Sequence, residues 1–293
     1  MSAHVTAIVV VHDSAAKVPA CLAALARAGV SVIVVDNASE DDSARVAESY
    51  GARVLRNAKN EGFGRAMNRG MIAADTEFAL LVNPDLVLED GAVQALLAAA
   101  AQWPDAAIFA PRIIEPDGRV FFADQSLLAK SPLHNRQRVH WTPEGDCCTP
   151  FLSGACWLVR RAMVLSLGGF DDNIFLFYED DDLCRRVLDA GHALIHVHQA
   201  IARHERGASA APKHGRVFKA RRHLAWSRAY ISQKYGLKSP IGETLLTNGP
   251  KALLALLMLN RSRFERYGGS VQGCFDFMRG RSALAVEGLQ QPD

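Results

Sequence analysis

The sequence predicts an α/β fold with a mostly parallel central sheet flanked by helices. Over the first 110 residues, short β-branched runs alternate with helical stretches, which is typical of βαβ units. Polar or acidic residues follow the early runs, at the strand ends where such sheets bind ligands. With 293 residues, 49% of them apolar, the chain can bury the core of one large or two smaller domains. A disordered tail protein and a small disulfide scaffold are excluded.

The order of the elements follows from this alternation. The predicted strands are Ala7–Val11, Val32–Val35, Arg53–Leu55, Phe78–Val82 and Ala107–Ala110. The helices predicted between them are Ala15–Ala28, Asp41–Tyr50, Gly64–Ala73 and Gly91–Gln102. Periodicity is lost over residues 115–150, and it returns with a strand at Leu194–Ala202, a helix at Phe218–Tyr235 and an apolar helix starting at Pro250.

Charge is distributed unevenly along the chain. Residues 1–202 carry a net charge of −8 and residues 203–293 carry +10. An apolar run beside a basic cluster is typical of an element that lies on an anionic membrane surface, although Leu253–Leu259 could equally pack on the main domain. The basic segment 203–238 contains no nucleic-acid-binding motif, and the acidic remainder would repel a duplex, so we expect no nucleic-acid partner.

Cysteine usage and the N-terminal sequence indicate the compartment. The six cysteines show no C-x-x-C spacing, and several lie in apolar runs, which favours a reducing environment. The apolar run Val5–Val11 is followed directly by His-Asp, so it is interpreted as a strand and not a signal peptide. The expected location is cytoplasmic, with the protein peripheral on the cytoplasmic membrane face.

Four consecutive acidic residues, Glu179 to Asp182, open a predicted helix directly after an aromatic run. Acidic side chains at a helix start are favoured by the helix dipole. Mutual repulsion and burial behind the aromatic residues would raise the proton affinity of one carboxylate, which suits a general base. The alternative is an ordinary solvated acidic turn.

Three other motifs carry polar groups suited to phosphates and sugars. Asn83-Pro84-Asp85 follows an apolar strand and could hold a divalent cation together with phosphate oxygens, or be an ordinary turn. In the segment from Asn60 to Asn68, two glycines lead into a helix and allow close approach of a ligand. His204 follows a strand beside a basic stretch, which suits a diphosphate with its metal. Neither G-x-G-x-x-G nor a P-loop motif occurs, which excludes dinucleotide oxidoreductases and P-loop enzymes.

The order of these motifs resembles glycosyltransferase family 2, and more narrowly its bacterial rhamnosyltransferase-like branch, which has the GT-A fold. The resemblance covers about residues 5–235. It rests on strand-His12, Asp36-Asn-Ala-Ser39, Asn60-x-Gly-Phe-Gly-x-x-x-Asn68, Asn83-Pro-Asp85, Ser153-Gly-Ala, Gly168-Gly-Phe-Asp171, Glu179-Asp-x-Asp182-Leu-Cys-x-Arg186 and His204-x-x-Gly-x-Ser209.

This resemblance implies an inverting transfer of a sugar, such as rhamnose, another deoxyhexose or a hexosamine. The donor would be a dTDP-, UDP- or GDP-sugar, and the acceptor a hydroxyl of a lipid-linked or growing surface polysaccharide of the cell envelope. Residues 1–112 would form the nucleotide-binding half and 113–235 the acceptor-binding half of a GT-A domain, with 236–293 as a helical, membrane-associated extension.

The resemblance also implies a role for each matched residue. Asp180 would deprotonate the acceptor hydroxyl, with Glu179 and Asp182 orienting the sugar or acceptor. Asp85 and His204 would bind Mg²⁺ or Mn²⁺. The implied contacts to the nucleotide sugar are His12, Asp36, Asn60, Gly62, Asn68, Asn83, Asp85 and Gly154.

Two departures from the family pattern leave alternatives open. Asn83 stands where the wider family has an aspartate, and His12-Asp13 replaces the more usual aromatic-Asn pair. These departures motivate a non-catalytic glycan- or lipid-binding protein on a transferase scaffold. A sugar-phosphate nucleotidyltransferase is a second alternative, but it would need a Gly-rich basic loop after the first strand, where this chain has His12-Asp-Ser-Ala-Ala.

Overall fold

A computed structural model describes residues 4–129, 142–204 and 215–290. By their contacts, these residues form two compact units. The first unit comprises residues 4–60, 65–170 and 180–204, and the second comprises 61–64, 171–179 and 215–290.

The first unit is built on one sheet. Its strands are β1 (Val5–Val11), β2 (Ser31–Asp36), β3 (Arg53–Arg56), β4 (Phe78–Val82), β5 (Leu86–Leu88), β6 (Ala106–Ile114), β7 (Val120–Phe121), β8 (Cys147–Cys148), β9 (Cys156–Arg160) and β10 (Ala193–His204). The strand order is β3-β2-β1-β4-β9-β6-β10-β5, with β7 beside β6 and β8 beside β10. The five strands predicted over the first 110 residues are all present.

Strand direction determines which loops meet. β1 to β4 are mutually parallel, whereas β9 is antiparallel to both β4 and β6. Since β10 is parallel to β6, β1, β2, β3, β4, β6 and β10 all run the same way. The predicted α/β fold with flanking helices is confirmed, and the sheet is mixed beyond β4.

Helices cover this sheet and form the second unit. They are α1 (Val18–Arg27), α2 (Ser43–Ser49), α3 (Phe63–Ala73), α4 (Ala92–Gln102), α5 (Arg161–Ser166), α6 (Glu179–Asp189), α7 (Arg216–Lys234), α8 (Ile241–Leu257), α9 (Arg261–Met278) and α10 (Ala283–Val286). All seven residues of β1 are buried, as expected for a parallel strand covered on both faces. The core lies between the sheet and helices α1 and α4. Gly70 of α3 allows that helix to approach β1, because a Cβ there would lie 2.3 Å from Ile8 Cγ2.

In the second unit, α9 packs against both α7 and α8. The close contact with α7 depends on small residues, since a Cβ at Gly273 would lie 2.1 Å from the carbonyl oxygen of Arg222. By packing, α7 therefore belongs with the residues after 235, although the functional division at 235 stays a prediction. The expectation that a helix starts at Pro250 is wrong, because Pro250 lies inside α8.

Within the described ranges, none of these helices combines the length and the hydropathy that a bilayer-spanning segment requires.

Candidate active site

Polar residues collect where the six co-directional strands end, at one edge of the first unit's sheet. Parallel strands bring their carboxyl ends to the same edge, where α/β proteins bind ligands. The residues at or just after these ends are His12, Asp36, Asn57, Asn83, Asp85, Glu115 and His204.

Asp36 and His12 lie at the ends of β2 and β1. Asp36 is buried, and its Oδ1 accepts a hydrogen bond from the Ser39 main-chain N–H at 3.0 Å. His12 Nδ1 lies 3.1 Å from the Asn37 carbonyl oxygen. The ring of His12 is thus held against the main chain at the end of β2, next to Asp36 in the sequence, where the resemblance places the nucleotide base.

Asn60 is tied to the same edge by a chain of amides. Asn37 Nδ2 donates to Asn60 Oδ1 at 3.0 Å, and Asn57 Nδ2 donates to Asn37 Oδ1 at 2.9 Å. Because each amide orients the next, the position of Asn60 is determined by the ends of β2 and β3.

The loops after β1 and β2 also hold strained backbone. Asp13 (φ 51°) and Ala38 (φ 59°) both adopt the left-handed conformation without being glycine. Such conformations persist only where the surroundings impose them, and they cluster at functional sites.

Asp85 and His204 are brought together by strand pairing. β5 runs antiparallel to β10 and sets His204 opposite Leu86, so His204 Nε2 lies 3.4 Å from Asp85 Oδ1. On its other side, His204 Nδ1 lies 3.7 Å from Glu115 Oε1. Lys17 Nζ is 3.7 Å from Asp85 Oδ2. The hydrogen bond to His204, with the nearby positive charges, holds the pKa of Asp85 below its usual range.

This pair fits a shared divalent cation. A carboxylate oxygen and an imidazole nitrogen suit Mn²⁺, and Glu115 beside Nδ1 would orient the ring as outer-shell partners of metal-bound histidines do. In the parts of the chain that the structure describes, no group of three or more His, Cys, Asp or Glu side chains is placed to hold a metal. Asp85 and His204 therefore need substrate oxygens and water to complete a coordination shell, as is usual for Mg²⁺ at nucleotide sites.

Asp180 is held in place by one hydrogen bond from outside its own helix and one from within it. The Gly154 N–H donates to Asp180 Oδ2 at 3.1 Å, and the Asp181 N–H donates to Oδ1 at 2.9 Å. Burial nevertheless raises the pKa of Asp180 above its ordinary value, and the negative charge of Asp181 adds to this. A carboxylate that acts as a general base is expected to have a raised pKa, and Asp180, the predicted base, has one. Gly154, predicted to contact the donor, lies against this carboxylate.

The other acidic residues of α6 have different surroundings. Asp182 is fully buried and pairs with Arg186 Nε at 2.8 Å, while Arg186 also donates to the carbonyl oxygens of Leu167 and Gly169. Asp182 therefore anchors α6, and its predicted role in orienting the sugar or acceptor stays a prediction. Glu179 is the buried first residue of the helix, and its predicted orienting role stays a prediction.

Asn68 holds a loop of the first unit. Its Nδ2 donates to the Phe170 carbonyl oxygen and its Oδ1 accepts from the Phe170 N–H, both at 2.8 Å. Both polar atoms of the Asn68 side chain are thus hydrogen-bonded to Phe170. The predicted contact of Asn68 with the donor stays a prediction, and it would have to compete with these hydrogen bonds.

Gly62 and residues 171–178, which form most of the aromatic run from Phe170 to Tyr178, lie in the second unit. Gly62 has φ +88°, and a Cβ there would lie 2.4 Å from the Phe175 carbonyl oxygen. Only glycine fits at position 62, so the local structure requires it. The predicted contact of Gly62 with the donor stays a prediction. Phe177 (φ 71°) and Tyr178 (φ 69°) are consecutive aromatic residues in the left-handed conformation. Strain of about 1–3 kcal/mol at each directly precedes the acidic cluster.

Sequence reasoning missed two residues of this edge, Glu115 and Lys17, and it missed the anchoring role of Asp181. Asp181 is buried and receives hydrogen bonds from Ser126 Oγ and the Leu127 N–H, so it ties the segment after β7 to α6. Glu115 directly follows β6, and the strand-end criterion would have found it had that strand been predicted to its observed end at Ile114. Lys17, next to α1, carried no signal. Gly207 and Ser209, which belong to the His204 motif, lie outside the described residues.

Comparisons with known proteins identify the family of the chain. The family model for glycosyl transferase family 2 matches residues 6–168. The chain is 32% identical over 239 residues to the N-acetylglucosaminyl-diphospho-decaprenol L-rhamnosyltransferase of Mycobacterium tuberculosis, covering 68% of this chain and 78% of that protein.

Two solved structures share the fold. The mannosyltransferase PcManGT of Pyrobaculum calidifontis, in complex with GDP-Man and Mn²⁺, has a TM-score of 0.55 at 14% identity, over 95% of this chain and 88% of that one. S. aureus TarS 1-349 in complex with UDP-GlcNAc has a TM-score of 0.55 at 16% identity, over 95% of this chain and 92% of that one.

The fold and the matched family together define a glycosyltransferase of the GT-A type. The chain belongs to glycosyl transferase family 2. The resemblance found in the sequence is confirmed, and an enzyme of this class is favoured over both a nucleotidyltransferase and a non-catalytic binding protein.

Proposed function

We propose that the protein transfers a sugar from a nucleotide-diphosphate donor to a hydroxyl of a lipid-linked acceptor, with inversion at the anomeric carbon. The observation that carries this proposal is the oriented Asp180 carboxylate with its raised pKa. The name of the M. tuberculosis relative supports rhamnose as the sugar and a polyprenyl-diphosphate glycan as the acceptor.

Asp180 acts as the general base. Its carboxylate accepts the proton of the acceptor hydroxyl while that oxygen attacks the anomeric carbon and the nucleotide diphosphate leaves from the opposite face. A single displacement of this kind inverts the anomeric configuration. The hydrogen bonds from Gly154 and Asp181 hold the carboxylate in one orientation, and positioning of this kind lowers the barrier.

The sheet edge binds the donor. Asp36 accepts a hydrogen bond from the pyrimidine ring, His12 contacts the base, and Asn60 and Asn83 bind polar groups of the nucleotide sugar. Asp85 and His204 would hold Mg²⁺ or Mn²⁺, which when bound supplies positive charge beside the diphosphate leaving group. Lys17, 3.7 Å from Asp85, adds a protein cation at the same place.

The test is release of free nucleotide from dTDP-rhamnose, UDP-sugars and GDP-sugars, with a polyprenyl-diphosphate N-acetylglucosamine acceptor and Mg²⁺ or Mn²⁺. Asp180→Asn is expected to lower transfer by about 10²–10⁴-fold while donor binding, measured by titration calorimetry, stays within twofold. Asp189→Asn, in the same helix but exposed and paired with Arg185, is the matched control. Wild-type turnover by Asp180→Asn, or no release from any donor, would overturn the proposal.

A further inference from the structure

The end of α8 exposes a cluster of large apolar side chains. We define the leucine patch as Leu246, Leu253, Leu254, Leu256, Leu257, Met258 and Leu259. Exposure is 72% at Leu257 and reaches 89% at Leu259, in the turn between α8 and α9. Over residues 251–260 only the small side chains Ala252 and Ala255 are buried. The last turns of α8 therefore bury alanines and present leucines to solvent.

These exposed apolar side chains are clustered, whereas soluble proteins usually expose such residues singly. The patch holds more than half of the exposed large apolar side chains in the described residues. At about 100° per helical residue, Leu253, Leu254, Leu256 and Leu257 cover an arc of about 160°, and Met258 and Leu259 extend it over the tip of the turn. Soluble proteins rarely expose contiguous apolar surface of this kind unless it binds something.

The charges around the patch are predominantly basic. Lys251, Arg263 and Arg266 are exposed, Arg261 pairs with Glu265 at 3.1 Å, and no acidic residue lies between Glu243 and Glu265. Basic side chains beside an apolar protrusion complement an anionic lipid surface. A second copy of the chain fits less well, because a symmetric contact would bring two basic clusters together.

We propose that the leucine patch is a membrane-docking surface that inserts into the boundary between headgroups and acyl chains of an anionic bilayer. Lys251, Arg263 and Arg266 would lie at the level of the lipid phosphates. The inference goes beyond the proposed function, because sugar transfer does not require it, but it would place the enzyme where a lipid-linked acceptor resides. It also assigns the predicted peripheral association to particular residues.

The test is flotation with vesicles of phosphatidylglycerol and phosphatidylcholine in equal amounts, and with vesicles of phosphatidylcholine alone. Wild-type protein is expected to float with the anionic vesicles. The triple variant Leu257→Gln, Met258→Gln, Leu259→Gln is expected to bind these vesicles with an affinity lower by about tenfold or more. Ile72→Gln, which removes a side chain that is 69% exposed in the first unit, is the matched control and is expected to float normally.

A second variant separates charge from apolar insertion. Arg263→Gln with Arg266→Gln is expected to reduce the preference for anionic over neutral vesicles, and added salt is expected to have the same effect. Circular dichroism and thermal melting check that each variant is folded. Equal flotation of the folded triple variant and the wild type would overturn the proposal. The proposal would also be overturned if the wild type does not float and is a dimer in analytical ultracentrifugation, while the triple variant is a monomer.

Failure of the membrane-docking proposal can be distinguished from failure of the proposed function. With a short-chain acceptor in solution, the triple variant is expected to release nucleotide at the wild-type rate. Normal release with no vesicle binding by the wild type overturns the docking surface alone. Vesicle binding without transfer overturns the proposed function alone.

Discussion

The main-chain N–H of Gly154 donates a hydrogen bond to Asp180 Oδ2 over 3.1 Å, which joins the loop before β9 to the first turn of α6. The approach is so close that a Cβ at Gly154 would lie 3.0 Å from the Asp180 Cβ. The orientation of the proposed base therefore depends on a glycine well separated from it in sequence.

Gly154→Ala is expected to displace the Asp180 carboxylate and lower kcat by about 10–100-fold, because small displacements of a reacting group are costly. Calorimetry of donor binding separates this effect on kcat from loss of the donor contact predicted for Gly154. Gly145→Ala is the matched control, since a Cβ there meets no atom within 4 Å, and it should retain wild-type kcat. Equal kcat in both variants would contradict the assigned contact.

The pH dependence of transfer follows from the raised pKa of Asp180. The base works only when ionised, so kcat/KM is expected to fall as the pH drops through a value above the ordinary aspartate pKa of about 3.9. Asp181→Asn removes a negative charge that raises the Asp180 pKa, and the acid limb of the pH–rate profile should move to lower pH. Asp189→Asn should leave it in place. A shift to higher pH in Asp181→Asn would contradict this account.

Metal affinity tests the Asp85–His204 pair. Asp85→Asn and His204→Ala are each expected to weaken Mn²⁺ binding in the presence of a nucleoside diphosphate by about tenfold or more, as loss of a metal-ligand contact does. Lys17→Met removes a cation 3.7 Å from Asp85 and should tighten Mn²⁺ binding. Electron paramagnetic resonance of free Mn²⁺ measures both effects. Asp105→Asn, at an exposed position, is the control, and unchanged affinity in Asp85→Asn would show that the ion lies elsewhere.

Glu287 links the stability of the second unit to pH. Burial alone would raise its pKa, but hydrogen bonds from His223 and Lys219 outweigh it and lower the pKa to about 2. Because the folded pKa lies below the unfolded value of about 4.3, the stabilisation is complete above pH 4.3 and is lost as the pH falls through about 2. Glu287→Gln should lower the free energy of unfolding at pH 7 by roughly 2–3 kcal/mol, measured by urea denaturation.

The same variant should differ less from the wild type as the pH approaches 2. Glu243→Gln, whose side chain is 71% exposed, is expected to show no comparable effect at either pH. A loss in Glu287→Gln that stays constant down to pH 2 would rule out this linkage.

The elements of the fold were predictable because they depend on local pattern. Continuous aliphatic runs predicted β1 and β4, helical periodicity predicted the helices between them, and Asp36 and Asp85 were found as residues that follow strands. β5 escaped prediction because three residues are too short for a periodic signal. The antiparallel direction of β9 could not be predicted, because it is set by pairing with β4 and β6.

By itself, the sequence determined the α/β class, the family and the residue types at each strand end, since these follow from periodicity and short motifs. Tertiary structure alone decided which of those residues meet. The antiparallel β5–β10 pairing brings His204 to Asp85, the ion pair with Arg186 buries Asp182, and packing through Ala252 and Ala255 leaves the leucine patch exposed. Local propensity cannot encode these outcomes, because each depends on contacts between segments that are distant in the chain or on which face of a helix finds a partner.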